Sequence, residues 1–67
     1  MVLVFKTNLN ENLEKKVRNI LSPLKEIDTV DFDFEDCDNV LRIVAKENVV
    51  SNVESLLLSK GIYCKEL

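Results

Sequence analysis

The order of apolar and polar runs along this 67-residue chain predicts a single α+β domain, βαββαβ, with a four-stranded antiparallel sheet and two helices on one face. Three observations carry the prediction. Val30-Asp31-Phe32-Asp33-Phe34-Glu35 alternates strictly between apolar and acidic residues, the period of a half-buried strand. Leu13, Val17, Ile20, Leu21 and Leu24 recur at the spacing of one helical stripe. One Gly and one Pro in the whole chain leave little room for long loops, so the elements must follow one another closely.

The first strand is Val2 to Lys6, short and rich in β-branched and aromatic residues. Asn10 then reads as the N-cap of the first helix, with Glu11–Lys15 and Glu14–Arg18 as supporting acid-before-base pairs four residues apart. Pro23 lacks an amide hydrogen and crowds the carbonyl four residues back, so the helix ends near Leu21. The alternating run Val30 to Glu35 is the second strand, Asp36-Cys37-Asp38-Asn39 the turn, and Val40 to Ala45 the third strand. Asn48 caps a second helix in which Val50, Val53, Leu56, Leu57 and Lys60 share a face. Gly61 stands where a helix end wants a left-handed residue, and Ile62 to Glu66 is the last strand.

Right-handed crossovers for both β-α-β units arrange these strands in the order 4-1-3-2, the ferredoxin-like architecture. Strands 1 and 3 are then central, which agrees with their continuous apolar character. Strand 2 is an edge, and its row of Asp31, Asp33 and Glu35 is the charge that protects an edge against strand addition. Leu3, Phe5, Leu41 and Ile43 face the helices in this arrangement.

Composition removes whole classes of function. With no His, neither a Ser-His nor a Cys-His dyad can form, and no imidazole metal ligand exists. No Gly-rich phosphate loop occurs, and so short a chain encloses little pocket, so an enzyme is not expected. Net charge is −3 with a pI near 4.8, the wrong sign for nucleic acid or an anionic membrane. The charge is also bipolar: residues 26–38 hold seven acids and no base, while the rest holds the other five acids and all nine bases. An EF-hand counted from Asp31 fails, because its sixth and twelfth places hold Asp36 and Arg42. The N-terminal residues lack a signal-peptide pattern, and no apolar run approaches the length of a spanning helix. A cytoplasmic protein with reduced thiols is the simplest expectation. Cys37 at the hairpin and Cys64 on the far edge strand stand roughly 10–14 Å apart in this topology, too far for a disulfide.

Several segments carry a resemblance. Phe5-Lys6-Thr7-Asn8-Leu9-Asn10, the helix after it, Ile27-x-x-Val30-x-Phe32-Asp33, Val40-Leu41-x-Ile43 and Lys60-Gly61-Ile62 together resemble the heavy-metal-associated domain along the whole chain. That family comprises copper chaperones and cytosolic domains of metal-transporting ATPases. The resemblance implies a soft metal such as Cu(I), bound by two cysteines spaced CxxC at the first strand–helix loop. Here the cysteine positions fall on Glu11 and Glu14, or on Asn10 and Leu13 with the loop one residue shorter. Neither registration places a thiol, so the resemblance is to a degenerate member that has lost this site.

The remaining candidates each have two readings. Glu11 and Glu14 are either a substitute metal pair or acids favoured at a helix start. Cys64 is either a displaced thiol ligand beside the first loop or a small core residue. Cys37, among acids, is a surface cysteine whose neighbours disfavour the thiolate. Lys15, Lys16 and Arg18 form a basic helix side that either docks an acidic partner, as the resemblance implies, or serves solubility. Val2, Val4, Val40, Val44 and Tyr63 face outward on the open side of the sheet, rimmed by Lys6, Arg42, Lys65 and the acids of strand 2. That patch is either an interface or an ordinary solvated sheet, and it lacks the aromatic platform that RNA needs.

The expectation is a non-catalytic interaction or regulatory module that meets another protein domain, or a second copy of itself, through the open sheet face or the first helix. The alternative is a metal-trafficking protein that carries a transition metal ion on altered ligands.

Overall fold

The computed structural model of the chain describes residues 1–34 and 39–67. The elements run β1 (Val2–Thr7), a 3₁₀ turn (Glu11–Leu13), α1 (Glu14–Leu21), β2 (Ile27–Asp33), β3 (Asn39–Ala45), α2 (Val50–Ser59) and β4 (Cys64–Glu66). All three ladders are antiparallel and the sheet order is β2-β3-β1-β4, the arrangement expected from the sequence.

Alternation along the central strands decides which face is covered. Leu3 and Phe5 of β1 and Leu41, Ile43 and Ala45 of β3 are buried, and they share one core with Val17 and Leu21 of α1 and Val53 and Leu57 of α2. Leu13, Ile20 and Leu24 of the predicted helical stripe pack on that core from its margin. Thr7, just past the expected end of the first strand, Leu9, in the loop after β1, and Val49, just before α2, are buried although they lie outside the predicted stripes.

The helix ends follow their local chemistry. Asn10 accepts from the Asn12 amide at 2.9 Å, but it caps the 3₁₀ turn, and the α-helix proper begins only at Glu14. The Asn48 carboxamide accepts from the Val50 amide at 2.9 Å, but this expected cap sits one residue ahead of the true N-cap, Val49, whose carbonyl takes from the Val53 amide the first helical bond of α2. At its far end Gly61 takes φ +77°, its amide bonding Leu58 while the Ile62 amide bonds Leu57. This is the left-handed exit in which glycine avoids the cost a Cβ would bring.

Boundaries of all four strands depart from the sequence reading. β1 extends to Thr7 and β3 begins at Asn39, because these two residues pair at the end of the ladder. β2 begins at Ile27 rather than Val30 and ends at Asp33, with a bulge between Ile27 and Thr29. The bulge breaks the simple alternation that marks a strand in sequence. Phe34 lies just beyond the strand, and Glu35, Asp36, Cys37 and Asp38 of the expected strand end and turn lie outside the described residues. β4 is only Cys64–Glu66, because Ile62 spends its amide on the exit from α2 and Tyr63 spends its amide on the Asn8 side chain.

Candidate functional site

The loop from Thr7 to Leu13, where the resembled family would hold its metal, is held here by ordinary polar side chains. The Thr7 hydroxyl donates to the Asn39 carbonyl at 2.8 Å and accepts from the Leu9 amide at 3.2 Å. The Asn39 carboxamide donates back to the Leu9 carbonyl, and the Tyr63 amide donates to Asn8 Oδ1 at 3.1 Å. Leu9 is thereby turned into the core while Asn8 and Asn10 stay outside. Among the described residues this loop presents no thiol or imidazole, so its donor set does not suit a soft ion. Glu11 is exposed at the head of the 3₁₀ turn, and Glu14 pairs with Arg18 at 3.1 Å. Among the described residues, no three acids or cysteines come together as a metal cluster.

Cys64 does stand beside this loop, opposite Thr7 in the β1–β4 ladder, but its side chain points into the core. Burial and then the nearby Glu54 carboxylate raise its pKa from 9.0 to about 12. The protonated thiol, a poor metal ligand and nucleophile, is the form present at neutral pH. Cys64 is a free cysteine, and Cys37 lies outside the described residues.

The expected basic side of α1 divides into two parts. Arg18 turns toward β2, where Nη1 donates to the Val30 carbonyl at 2.7 Å and Nη2 meets Glu14. Its guanidinium also lies 5.1 Å from the centre of the Phe32 ring, which stacks on Phe34 at 5.8 Å. Arg18 therefore meets Glu14, the partner its spacing predicts, and in addition bonds β2, which the sequence did not indicate. Lys15 and Lys16 are exposed instead on the rim of an apolar groove of about 720 Å³ between the helices, with Ile20, Pro23 and Leu56 along it and Lys60 opposite. The helix stripe hinted at Ile20 and Leu56, but only their packing on the core margin shows that both stay half exposed.

The open sheet face carries Val2, Val4, Val40 and Val44, as expected from alternation, while Tyr63 is exposed on the side away from Ile62 and Cys64. Register corrects the rim. Arg42 stands directly between Asp31 of β2 and Val4 of β1, and Lys6 stands between Val40 of β3 and Lys65 of β4. Only the row of Thr29, Val44 and Val2 is free of charge. Arg42 and Lys6 thus interrupt the valines instead of framing them, because they occupy the outward positions of the two central strands.

No protein-family model matches the chain, and comparison with curated proteins finds no match. Among solved structures the chain is similar to the N-terminal domain of ZntA, whose solution structure was determined in the Zn(II) form. The TM-score is 0.81 at 21% identity, covering 97% of this chain and 89% of that one. The fold is the ferredoxin-like fold of the heavy-metal-associated domain. No described helix is long and apolar enough to cross a membrane.

Proposed function

We propose that this chain is a non-catalytic, cytoplasmic module of the heavy-metal-associated type whose metal site has decayed, and that it acts by contact with another protein. The observation that carries this reading is the first loop, where Thr7, Asn8, Asn10 and Asn39 spend their polar groups on backbone partners. A loop closed in this way needs no ion to hold its shape, and it offers none a thiolate pair. The surfaces left for contact are the lysine-rimmed groove with Lys15 and Lys16, and the open sheet with Val2, Val4, Val44 and Tyr63.

Anaerobic titration with Cu(I) and with Zn²⁺ against a competing chelator tests the reading. Affinity weaker than about micromolar, unchanged in Cys64→Ser, is the expected result. Tight binding that disappears in Cys64→Ser overturns it. Sedimentation at micromolar concentration, comparing wild type with Val4→Lys and Val44→Glu, tests whether the sheet face joins two copies; a monomer throughout removes that version.

A second reading, metal carriage on altered ligands, is favoured by one observation. The similar N-terminal domain of ZntA was determined in a Zn(II) form, and Cys64 of this chain stands opposite Thr7, at the start of the first loop. Glu11, Glu14 and Cys64 would be the donors, and the same titration with Glu11→Gln and Glu14→Gln separates the two.

A further inference from the structure

β2 lies at one edge of the sheet, and the bond from Arg18 to the Val30 carbonyl shows that this carbonyl points outward. Strand geometry puts the Val30 amide and both peptide groups of Phe32 on the same outer side. An open cleft of about 500 Å³ runs along this edge beside the end of α1. Leu21, Leu24, Ile27 and Val30 give it apolar footing, and Asp28 and Asp31 line it with carboxylates. The edge therefore offers what an added strand needs: backbone acceptors and donors, apolar contacts for alternate side chains, and charge for the others. It also holds one cation already, since the Val30 carbonyl, the Glu14 carboxylate and the Phe32 ring together form a seat for a guanidinium.

We infer that the β2 edge is a docking site for an extended protein segment in which arginine alternates with apolar residues, and that Arg18 fills this site in cis until the segment displaces it. Charge chooses the occupant. Residues 26–34 contain Glu26, Asp28, Asp31 and Asp33 and no base. Lys46, 3.9 Å from Asp28, and Arg42, opposite Asp31, temper this field from the β3 side, and Arg18 is the one base that lines the cleft itself. An acidic segment would meet carboxylates there, and a proline-rich one would bring too few N–H donors to the edge. The acids that protect the edge against chance pairing thus also select what pairs with it.

The inference rests on the reading that the chain acts by protein contact. Its test is fluorescence anisotropy of a labelled peptide of alternating arginine and valine, titrated with the intact chain. Binding is expected to saturate and to tighten about tenfold in Arg18→Met, which keeps the aliphatic stem and removes the competing guanidinium. Amide exchange at Val30 and Phe32 slows in the complex. The same peptide with its alternate backbone amides methylated loses binding, and a glutamate–valine peptide does not bind. No saturable binding to either form overturns the inference. So does an Arg18→Met chain no tighter than wild type, or a methylated peptide that binds equally well, which marks a purely electrostatic contact. Metal affinity is read separately, so a chain that holds Cu(I) tightly defeats the protein-contact reading, whereas failure with the peptide defeats only this site.

Discussion

Thr7 and Asn39 face each other at the end of the β1–β3 ladder, and the Thr7 hydroxyl bonds the Asn39 carbonyl at 2.8 Å while receiving the Leu9 amide. Thr7 is the one buried residue with a hydroxyl, amide or charged side chain among those described. Thr7→Val keeps the shape and deletes the hydroxyl, leaving the buried Leu9 amide without its acceptor. We expect a loss of about 1–3 kcal/mol by urea denaturation, with Thr7→Ser recovering most of it. A neutral Thr7→Val would show that the loop is held by Asn39 alone.

Leu41 is fully buried and pairs with Phe5 of β1 on one side and Phe32 of β2 on the other. Leu41→Ala is expected to cost about 3 kcal/mol, a large part of a total on the order of 5 kcal/mol for so small a domain. About 2 kcal/mol would remain, which keeps nearly all of the chain folded at ambient temperature, so the loss is read from urea denaturation, whose midpoint should fall by about half or more. Val2→Ala, on the open face, should change the midpoint little, since Val2 is 60% exposed.

Gly61 has φ +77° and open space where a Cβ would stand. The cost of Gly61→Ala is therefore backbone conformation alone, and we expect about 1 kcal/mol by thermal or urea unfolding. Gly61→Asn should cost less, because asparagine tolerates the left-handed region. Equal losses in both variants would point to a steric cause.

The buried Cys64 thiol also makes a prediction about pH. Its folded pKa, about 12, lies above its ordinary value of 9.0 because burial, and then Glu54, disfavours the thiolate. A group raised in this way contributes stability that is complete below about pH 9 and is lost as pH climbs toward 12. Stability to urea from pH 8 upward should therefore fall more steeply in wild type than in Cys64→Ala, and the difference between them isolates the thiol. At neutral pH a thiol reagent should label Cys64 slowly in the native chain and quickly in denaturant. Fast native labelling would place the thiol at the surface and revive it as a ligand.

The elements most legible in the sequence are those whose signals are local. The β3 run, the core-facing stripe of α1, the stop before Pro23 and the Gly61 exit each depend on a few neighbouring residues, and the structure has each of them, although β3 starts one residue earlier and both helices start later than Asn10 and Asn48 indicate. The start of β2 was not legible, because Ile27-Asp28-Thr29 has no alternation once the bulge is inserted. The shortness of β4 was hidden as well, since two of its expected amides are taken by Leu57 and Asn8, one of them 55 residues away in sequence. For the site, the missing cysteines at the first loop could be read directly, whereas the polar lattice that replaces them could not. Thr7, Asn8 and Asn39 are unremarkable residues in sequence and meet only because β1, β3 and the entry to β4 converge there.

Sequence by itself determined the element order, the covered and open faces of the sheet, the bipolar charge and the absence of a cysteine pair at the first loop, all of which depend on periodicity or on which residue types stand at which positions. Tertiary structure decided what each surface residue is used for. It gave the exposed Arg18 a bond to the edge of β2 and placed Arg42 and Lys6 among the valines of the open face. It also left Lys15, Lys16 and Lys60 around a groove. The physical reason is one of range. Helix and strand formation answer to neighbours within a turn or two, but the partners of a side chain depend on which strands lie side by side, and the β2-β3-β1-β4 order settles that over distances no local pattern spans.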